Sequence, residues 1–248
     1  MESAHSHHIS LRLKYLLEFL VVFLGVTISF WLSEWNEGRK IAALHSEDVT
    51  SLLDDLNRDK ERLAIVDQSI RTGTVKINRI IAACDAFRAG STDYETFADS
   101  LVTIGSPYSY PTFFMNNSTY KSLISDGRIH EFPTSINKQI RDYYEYVSKR
   151  VNDNNHIVDD ICLNYYNNHH PLVQLFTGMP KELRRNAGLL FMQSQDVRLG
   201  YQGRDFYIQS LAMRSRIGVH ESQIEEYIAL RDTLEGAIID YQKKLLEG

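Results

Sequence analysis

Histidines are the side chains in this sequence whose chemistry is most open to metal binding. His5, His7 and His8 lie close together near the start of the chain, and His169 and His170 close a predicted helix. Neutral imidazole is a common metal ligand. We favour a polar tail for the first group. At a helix end, imidazole complements the helix dipole and the free carbonyls, so we favour that role for the second group over a metal or pigment site.

Paired carboxylates are the second kind of candidate chemistry. Asp54 is followed by Asp55, and Asp159 by Asp160. Neighbouring residues on a helix point about 100° apart, so neither pair converges as an acid–base dyad. Sequence signatures for covalent haem, nucleotide phosphates, serine hydrolases and zinc proteases do not occur. The sequence therefore predicts no catalytic residue, no cofactor and no metal site, and we expect that the protein is not an enzyme.

A third candidate is Glu18, because it is the one carboxylate within the apolar run of residues 15–32. A carboxylate inside a membrane is costly and usually functional, which would suit a proton or ion site. The alternative, which we favour, is a position about one turn inside the membrane boundary, within reach of Lys14.

The apolar run is itself the element that organises the chain. At ~1.5 Å rise per residue, a helix of this length just crosses the ~30 Å hydrocarbon layer of a bilayer. Tyr15 lies at one edge of the run and Trp31 and Trp35 at the other, which is the arrangement of membrane-interface aromatic residues. We predict a tail at 1–14, an uncleaved transmembrane helix at 15–33 and an extramembrane domain at 34–248.

One face of the predicted transmembrane helix is suited to a partner. Small and polar residues recur along it at steps of three and four, namely Glu18, Val22, Gly25, Ser29 and Ser33. Small residues at four-residue spacing let helix backbones approach closely in lipid. We therefore expect this face to pack on another transmembrane helix, either in another membrane-protein subunit or in a second copy of the chain.

The sequence predicts an all-α extramembrane domain. Only five prolines occur in 248 residues, and apolar residues follow a heptad seam through three segments. The seams predict long helices at about 38–88, 134–169 and 205–247, joined by short helical connectors. We expect an antiparallel bundle of these three helices, running up, down and up. In that topology Cys84 and Cys162 lie at opposite ends, so we predict two free, mostly buried thiols.

An aromatic segment connects the first two long helices at residues 105–117. It carries two prolines and four aromatic side chains, Tyr108, Tyr110, Phe113 and Phe114. We favour a lid over the end of the bundle, with an exposed partner-binding loop as the alternative. Before it, Thr92 and Glu95 have the spacing of a capping box that opens a short helix to about Ile104.

Two motifs resemble a family of uncharacterised bacterial single-pass membrane proteins that is known only as a domain of unknown function. The first is the carboxylate-containing span that runs into Trp35-Asn36-Glu37 and then Arg39-Lys40. The second comprises Thr119-Tyr120-Lys121-Ser122-Leu123-Ile124 and Gly127, followed by Ile136, Ile140, Tyr143 and Tyr144. The resemblance covers about a third of the chain. It implies a short N-terminal tail, one span and a helical domain, but no activity.

Charge bears on location and on partners. A net charge of −5 and the lack of a basic run exclude a typical nucleic-acid surface. Basic residues are balanced across the span, with Arg12 and Lys14 before it and Arg39 and Lys40 after it. The His-rich tail tilts our expectation to a cytoplasmic N-terminus, with the bundle periplasmic at a bacterial inner membrane.

The sequence leaves two functional hypotheses. The first is a membrane-anchored helical scaffold or accessory subunit that stabilises a larger respiratory, photosynthetic, transport or envelope complex. The alternative is an extracytoplasmic ligand sensor that signals through a partner. We favour the scaffold, because the span has a small-residue face while no catalytic constellation is visible.

Overall fold

A computed structural model describes residues 11–109 and 111–247, with side chains from residue 14 onward. His5, His7 and His8 of the predicted tail, and Tyr110 of the aromatic segment, lie outside the described residues. Every element in the described part is helical, which confirms the all-α class. The first helix begins at Leu11, inside the segment predicted as a tail.

The described residues form nine α-helices, one 3₁₀ turn and one π-helical turn. In chain order they are α1 (Leu11–Arg88), α2 (Tyr94–Ile104), α3 (Ser118–Ser125), the 3₁₀ turn (Arg128–Glu131), α4 (Thr134–Arg141), the π turn (Asp142–Val147), α5 (Ser148–Asn168), α6 (Leu172–Leu175), α7 (Lys181–Met192), α8 (Gln195–Gln202) and α9 (Arg204–Glu247). Two of them are long, α1 with 78 residues and α9 with 44.

The chain divides into two compact units, Met1–Thr50 and Ser51–Gly248, which we call the N-terminal unit and the bundle unit. The described part of the N-terminal unit is the first portion of α1. One helix among the described residues is long and apolar enough to cross a membrane, and its apolar window of 18 residues has a mean hydropathy of 2.1. None of that window is buried within the chain.

In the bundle unit, the aromatic segment runs antiparallel to α1 along the helix surface. Lys76 Nζ donates to the carbonyl oxygen of Ser106 at 3.0 Å, and Arg62 donates to the carbonyl oxygen of Phe114 at 2.9 Å. Further along, the backbone N–H of Thr119 donates to Asp55 at 3.0 Å. The segment thus returns from the Arg88 end of α1 to its Ser51 end in extended form.

The α4–α5 portion then runs parallel to α1. Tyr143 of the π turn bonds Asp59 of α1 at 2.9 Å, and farther along α5 the hydroxyl of Tyr166 bonds Tyr108, which lies against Gly73 of α1. The predicted up-down-up order of three helices is therefore wrong. The second long helix points the same way as the first, because the extended segment makes the return pass that the prediction assigned to a helix.

Helix α9 closes the bundle by running antiparallel to both. Phe132 packs against Tyr241 with ring centroids 6.0 Å apart, and Tyr165 bonds Ser210 at 2.9 Å. The bundle unit consequently has four passes that alternate in direction, of which three are helical and one is extended. Helices α2 and α6–α8 cover the Arg88 end, where the carbonyl oxygen of Met192 accepts from Tyr94 at 2.7 Å.

The apolar face of α1 supplies one wall of the core. Its fully buried side chains in the bundle unit recur at heptad spacing and include Leu52, Leu56, Leu63, Ile70, Ile77 and Ile80. Burying a side chain of this size contributes about 1.5–3 kcal/mol each. The heptad seam is thus the surface on which the other three passes pack.

Helix boundaries follow local capping chemistry, with one difference from the prediction. Asp93, rather than Thr92, caps α2, and its carboxylate accepts from the backbone N–H of Thr96 at 2.8 Å. Gly90 follows α1 with φ of +71°, a left-handed conformation that glycine adopts without strain. A chain reversal at this point lets α2 fold back over the end of α1.

Cys84 and Cys162 are free and buried, as predicted. The expected placement of the two cysteines at opposite ends of the bundle is wrong, because the parallel helices α1 and α5 bring both of them toward the Arg88 end. Burial raises the pKa of each thiol to about 12. Both sulfurs are therefore protonated at neutral pH, which makes them weak nucleophiles and weak metal ligands.

Candidate functional site

The apolar window of α1 is the first candidate site. Tyr15, Trp31 and Trp35 are all exposed, and the Arg39 guanidinium lies 5.1 Å from the centre of the Trp35 ring. A contiguous apolar surface of this length is unstable in water and marks a protein or membrane contact. The aromatic residues flank this window at both edges, and their role as membrane-interface anchors stays a prediction.

The predicted partner face lies on this window and does not pack against any other described part of the chain. A Cβ added at Gly25 would meet nothing within 4 Å, so the glycine is not required by packing within the described chain. Val22, Ser29 and Ser33 are exposed on the same face. Its small residues are therefore free for a close approach by another helix.

Glu18 belongs to the same face, and its environment bears on the alternatives left open above. Its side chain is exposed, and no salt bridge joins it to Lys14 among the residues whose side chains are described. The structure thus gives the carboxylate no partner within the described chain. The exposed Glu18 does not make the predicted contact with Lys14 here, and the proton- or ion-site hypothesis stays a prediction.

The aromatic segment of residues 105–117 is neither a lid nor an exposed loop. Tyr108 and Phe113 are buried between the helices, while Phe114 is 65% exposed. Gly73 of α1 permits this course, because a Cβ there would lie 2.7 Å from the Tyr108 ring and 3.1 Å from the Pro107 carbonyl oxygen. The segment is a structural layer of the bundle, and Phe114 alone among its described aromatic residues is available to a partner.

Tyr108 links this layer to two helices. Its hydroxyl bonds Nδ1 of His220 on α9, and its backbone N–H donates to the hydroxyl of Tyr166 on α5 at 3.0 Å. Burial lowers the pKa of His220 to about 4, so the imidazole is neutral at physiological pH. His220 is therefore a neutral hydrogen-bonding group inside the bundle and carries no charge there.

Two carboxylates of α1 form a polar cluster with the segment. Asp59 accepts from the backbone N–H of Asn116 at 2.8 Å and from the hydroxyl of Tyr143 at 2.9 Å. Asp55 accepts from the side chain of Asn116 at 2.6 Å. Burial raises the pKa of Asp59 to about 6, against the opposing effect of these donors and of Arg62. The cluster fixes the aromatic segment onto α1.

Arg231 of α9 is a buried cation beside this cluster. It is 2% exposed, donates to the carbonyl oxygen of Leu56 at 3.4 Å and forms ion pairs with Asp232 and, at 3.1 Å, with Glu235. Its positive charge opposes the rise in the pKa of Tyr143 that burial produces. The guanidinium thus ties α9 to α1 in the interior of the bundle.

The two histidines at the end of α5 have different surroundings. His170 is fully buried, its Nδ1 lies 3.0 Å from the Tyr201 hydroxyl and its Nε2 lies 3.4 Å from the Gly105 carbonyl oxygen. Burial lowers its pKa to about 4. His169 Nδ1 lies 2.7 Å from the Asp205 carboxylate. His169 is the C-cap residue of α5, as the helix-end prediction expects, and in addition both imidazoles join α5 to other parts of the chain.

A cationic cleft of about 520 Å³ opens near the Arg88 end. Its charged lining comprises Lys76, Lys181, Arg184 and Arg185. Three of these have partners, since Lys76 bonds Ser106, Arg184 donates to the Met179 carbonyl oxygen at 2.9 Å, and Arg185 pairs with Asp99 at 2.8 Å. The contact of Arg185 with Asp99 balances one charge, whereas Lys76 and Arg184 contact neutral carbonyl oxygens, so the lining of the cleft remains cationic.

Within the described ranges, no three histidine, cysteine, aspartate or glutamate side chains come together in a way that could hold a metal ion. Asp54 is exposed while Asp55 is buried, so the adjacent carboxylates face different surroundings.

The sequence analysis did not identify four polar or small residues that make contacts between the passes of the bundle. Asp59, Gly73, His220 and Arg231 all occupy positions of the heptad seams. A polar residue or a glycine at a core position signals a buried hydrogen-bond partner or a close backbone approach. That signal was present, but the partner segment has no periodicity that would reveal its course.

Comparison with known proteins adds no relative. No protein-family model matches this chain, and neither the curated proteins nor the solved structures provide a match.

Proposed function

We propose that this chain is a single-pass membrane protein whose α1 anchors a helical domain and packs on another membrane-embedded helix. In this role it acts as a scaffold or accessory subunit of a larger membrane assembly. The observation that carries the proposal is the apolar window of 18 residues in α1, of which no part is buried within the chain.

Energetics support the membrane as the solvent for this window. Each apolar side chain that leaves water contributes about 25 cal/mol per Å² of buried apolar surface. Large exposed apolar residues surround most of the helix in this window and include Phe19, Val21, Phe23, Leu24, Ile28 and Phe30. One partner helix covers a single stripe, whereas a lipid bilayer covers all faces at once.

The small-residue face supports a helix partner within the bilayer. Lipid gives no hydrophobic drive for two helices to associate, so close packing and polar contacts must stabilise the pair. Gly25, Ser29 and Ser33 permit the close packing, and Glu18 on the same face offers a polar contact. We include in the proposal a cytoplasmic N-terminus at a bacterial inner membrane and membership of the uncharacterised single-pass family described above.

Sizing of the intact protein tests the proposal. The full chain is extracted from its native membrane in a mild detergent, and its protein mass is measured by light scattering during size exclusion. We expect a protein mass well above the 28.7 kDa of one chain. Gly25→Leu should shift it toward 28.7 kDa, because the leucine side chain holds the backbones apart.

Thr27→Leu is the matched control, since it introduces the same side chain on the opposite face of the helix and should preserve the larger mass. A monomeric wild type would count against the helix partner. Release of the wild type from membranes by alkaline carbonate without detergent would count against the span itself.

A further inference from the structure

The cationic cleft near the Arg88 end is lined by residues of α1, α2, α6 and α7. Its volume of about 520 Å³ lies within the range of ~300–1,000 Å³ that small-molecule sites occupy. Part of the lining is apolar and includes Val102, Ile104 and Phe176. This part is tightly packed, because a Cβ at Gly188 would lie 2.9 Å from the Phe176 ring and 3.0 Å from Val102. The cleft is therefore a preformed space with an apolar side.

The charged side chains that line the cleft are all cations. They are Lys76, Lys181, Arg184 and Arg185, and no carboxylate of the described residues joins them in the lining. Asp99, which lies outside the lining, pairs with Arg185. The other three cations form no ion pair within the part of the chain that the structure describes. The cleft therefore holds positive charge that local carboxylates do not balance.

These three cations also keep unused hydrogen-bond donors. The ammonium group of Lys76 has three donors and makes one bond, to the Ser106 carbonyl oxygen. Arg184 donates through Nε to the Met179 carbonyl oxygen, so its two terminal nitrogens have no partner among the described residues. Lys181 is exposed and makes no hydrogen bond with any of them. A guanidinium fork and two ammonium groups together suit the oxygens of a phosphate.

The spacing of the basic residues on α7 is unfavourable for the helix alone. Lys181, Arg184 and Arg185 are three and four residues apart, so their side chains share one face. Like charges at this spacing destabilise a helix, and cations in the first turn oppose the helix dipole. Glu182 is the acidic residue of that turn, but it does not line the cleft. A bound anion would relieve both unfavourable effects.

We propose that this cleft binds a phosphate monoester. The phosphate contacts Lys76, Lys181 and Arg184, and the esterified group rests on the apolar lining at Phe176. A phosphate monoester carries close to two negative charges at neutral pH and has three acceptor oxygens. It therefore matches three unpaired cations better than a singly charged carboxylate or sulfate ester does.

This inference goes beyond the anchoring role, because the cleft lies within the bundle unit. Binding would give the scaffold a site for a small molecule. Its failure leaves the membrane-anchor proposal intact, since the ligand experiment makes no use of the helix partner.

Two ligands of the same shape test the inference. The full chain in micelles of an uncharged detergent is titrated by calorimetry with phenyl phosphate and separately with phenyl sulfate. Above the second phosphate pKa of about 6, the phosphate carries one more negative charge than the sulfate. We expect phenyl phosphate to bind about tenfold more tightly. Equal affinities, or no binding of phenyl phosphate at millimolar concentration, would overturn the proposal.

A competition experiment distinguishes the two sources of a phosphate monoester. Phosphatidate is added to the same micelles, with phosphatidylcholine as the control that lacks a monoester. If phosphatidate alone displaces phenyl phosphate, the site takes a lipid headgroup. If neither lipid displaces it, the site takes a soluble ester. Displacement by both lipids to the same extent would contradict recognition of the monoester.

Three single variants locate the site. Arg184→Gln should lower the affinity for phenyl phosphate about tenfold, because it removes a charged donor. Lys181→Gln should lower it about threefold and leaves the fold intact, since Lys181 is exposed. Lys149→Gln makes the same charge change at an exposed position of α5 outside the cleft and should leave the affinity unchanged. Thermal unfolding verifies each fold. Wild-type affinity in folded Lys181→Gln and Arg184→Gln proteins would contradict the assignment.

Discussion

The hydroxyl of Tyr143 donates a 2.9 Å hydrogen bond to Oδ2 of Asp59, joining the π-helical turn to α1 inside the bundle unit. Asp59 also accepts a hydrogen bond from the backbone N–H of Asn116 in the aromatic segment. One carboxyl group therefore holds three of the four passes in register. Its burial makes it sensitive to pH, which gives the first prediction.

Asp59→Asn should remove a pH-dependent part of the stability of the bundle. Burial raises the pKa of Asp59 from its ordinary value of 3.8 to about 6, so the folded state holds a proton that the unfolded state releases between these values. The stabilisation from this group is complete below about pH 4 and is lost as pH rises through about 6. Relative to Asp59→Asn, the wild type should lose up to about 3 kcal/mol across this range.

Urea unfolding of the full chain in detergent, followed by near-ultraviolet circular dichroism of the buried tyrosines, measures this difference at each pH. Asp54→Asn, at an exposed position of the same helix, controls for the change in charge. A wild-type stability that rises with pH relative to Asp59→Asn would show that the sign of our argument is wrong.

Gly73→Ala tests the close approach of the aromatic segment to α1. The added Cβ would lie 2.7 Å from the Tyr108 ring and 3.1 Å from a backbone carbonyl. Overpacking of this kind costs about 1–3 kcal/mol, which exceeds the ~1 kcal/mol that alanine gains over glycine in a helix. We expect a net loss of stability in thermal unfolding.

Gly218→Ala is the matched control on α9, because a Cβ at that position meets nothing within 4 Å. It should raise stability by about 0.5–1 kcal/mol through helix propensity alone. If both alanine variants were equally stabilising, the aromatic segment could not lie against Gly73.

Glu235→Gln should destabilise the bundle more than Arg231→Met does. The glutamine leaves the buried guanidinium with Asp232 as its remaining ion-pair partner, whereas methionine removes the charge and retains an apolar side chain. Each variant leaves one charge of the pair behind, and the cost is greater for the more deeply buried one, since the Arg231 side chain is 2% exposed and that of Glu235 is 18% exposed. We expect a loss of about 1–3 kcal/mol for Glu235→Gln.

Denaturant midpoints of the two variants provide the measurement. Asp240→Asn is the control, since Asp240 and Lys243 are exposed and 4.0 Å apart, and its effect should stay within about 0.5 kcal/mol. A larger loss for Arg231→Met than for Glu235→Gln would mean that the bond to the Leu56 carbonyl oxygen outweighs the ion pairs.

Helix content was predictable because heptad periodicity and the scarcity of proline are local properties of the chain. The helix α9 was predicted at 205–247 and occurs at Arg204–Glu247. The heptad seam predicted within residues 38–88 is the buried face of α1, which includes Leu56, Leu63 and Ile70. These residues face inward wherever the partner lies, so their burial did not depend on knowing the topology.

Topology was not predictable in the same way. An extended segment has no helical period, and its hydrogen bonds go to side chains far away in sequence, such as Arg62 with Phe114. The sequence showed the polar residues at core positions but not what they contact. The direction of α5 and the position of Cys162 both depended on that missing pass.

Site-specific photo-crosslinking in native membranes tests the central claim most directly. A photoreactive residue is placed singly at each position from 20 to 33 of the full chain. We predict crosslinks to a membrane protein with a helical period, strongest at Val22, Gly25, Ser29 and Ser33 and weakest on the opposite face at Leu20, Thr27 and Trp31. Crosslinking to lipid alone at every position, or a maximum on the opposite face, would contradict the proposed helix contact.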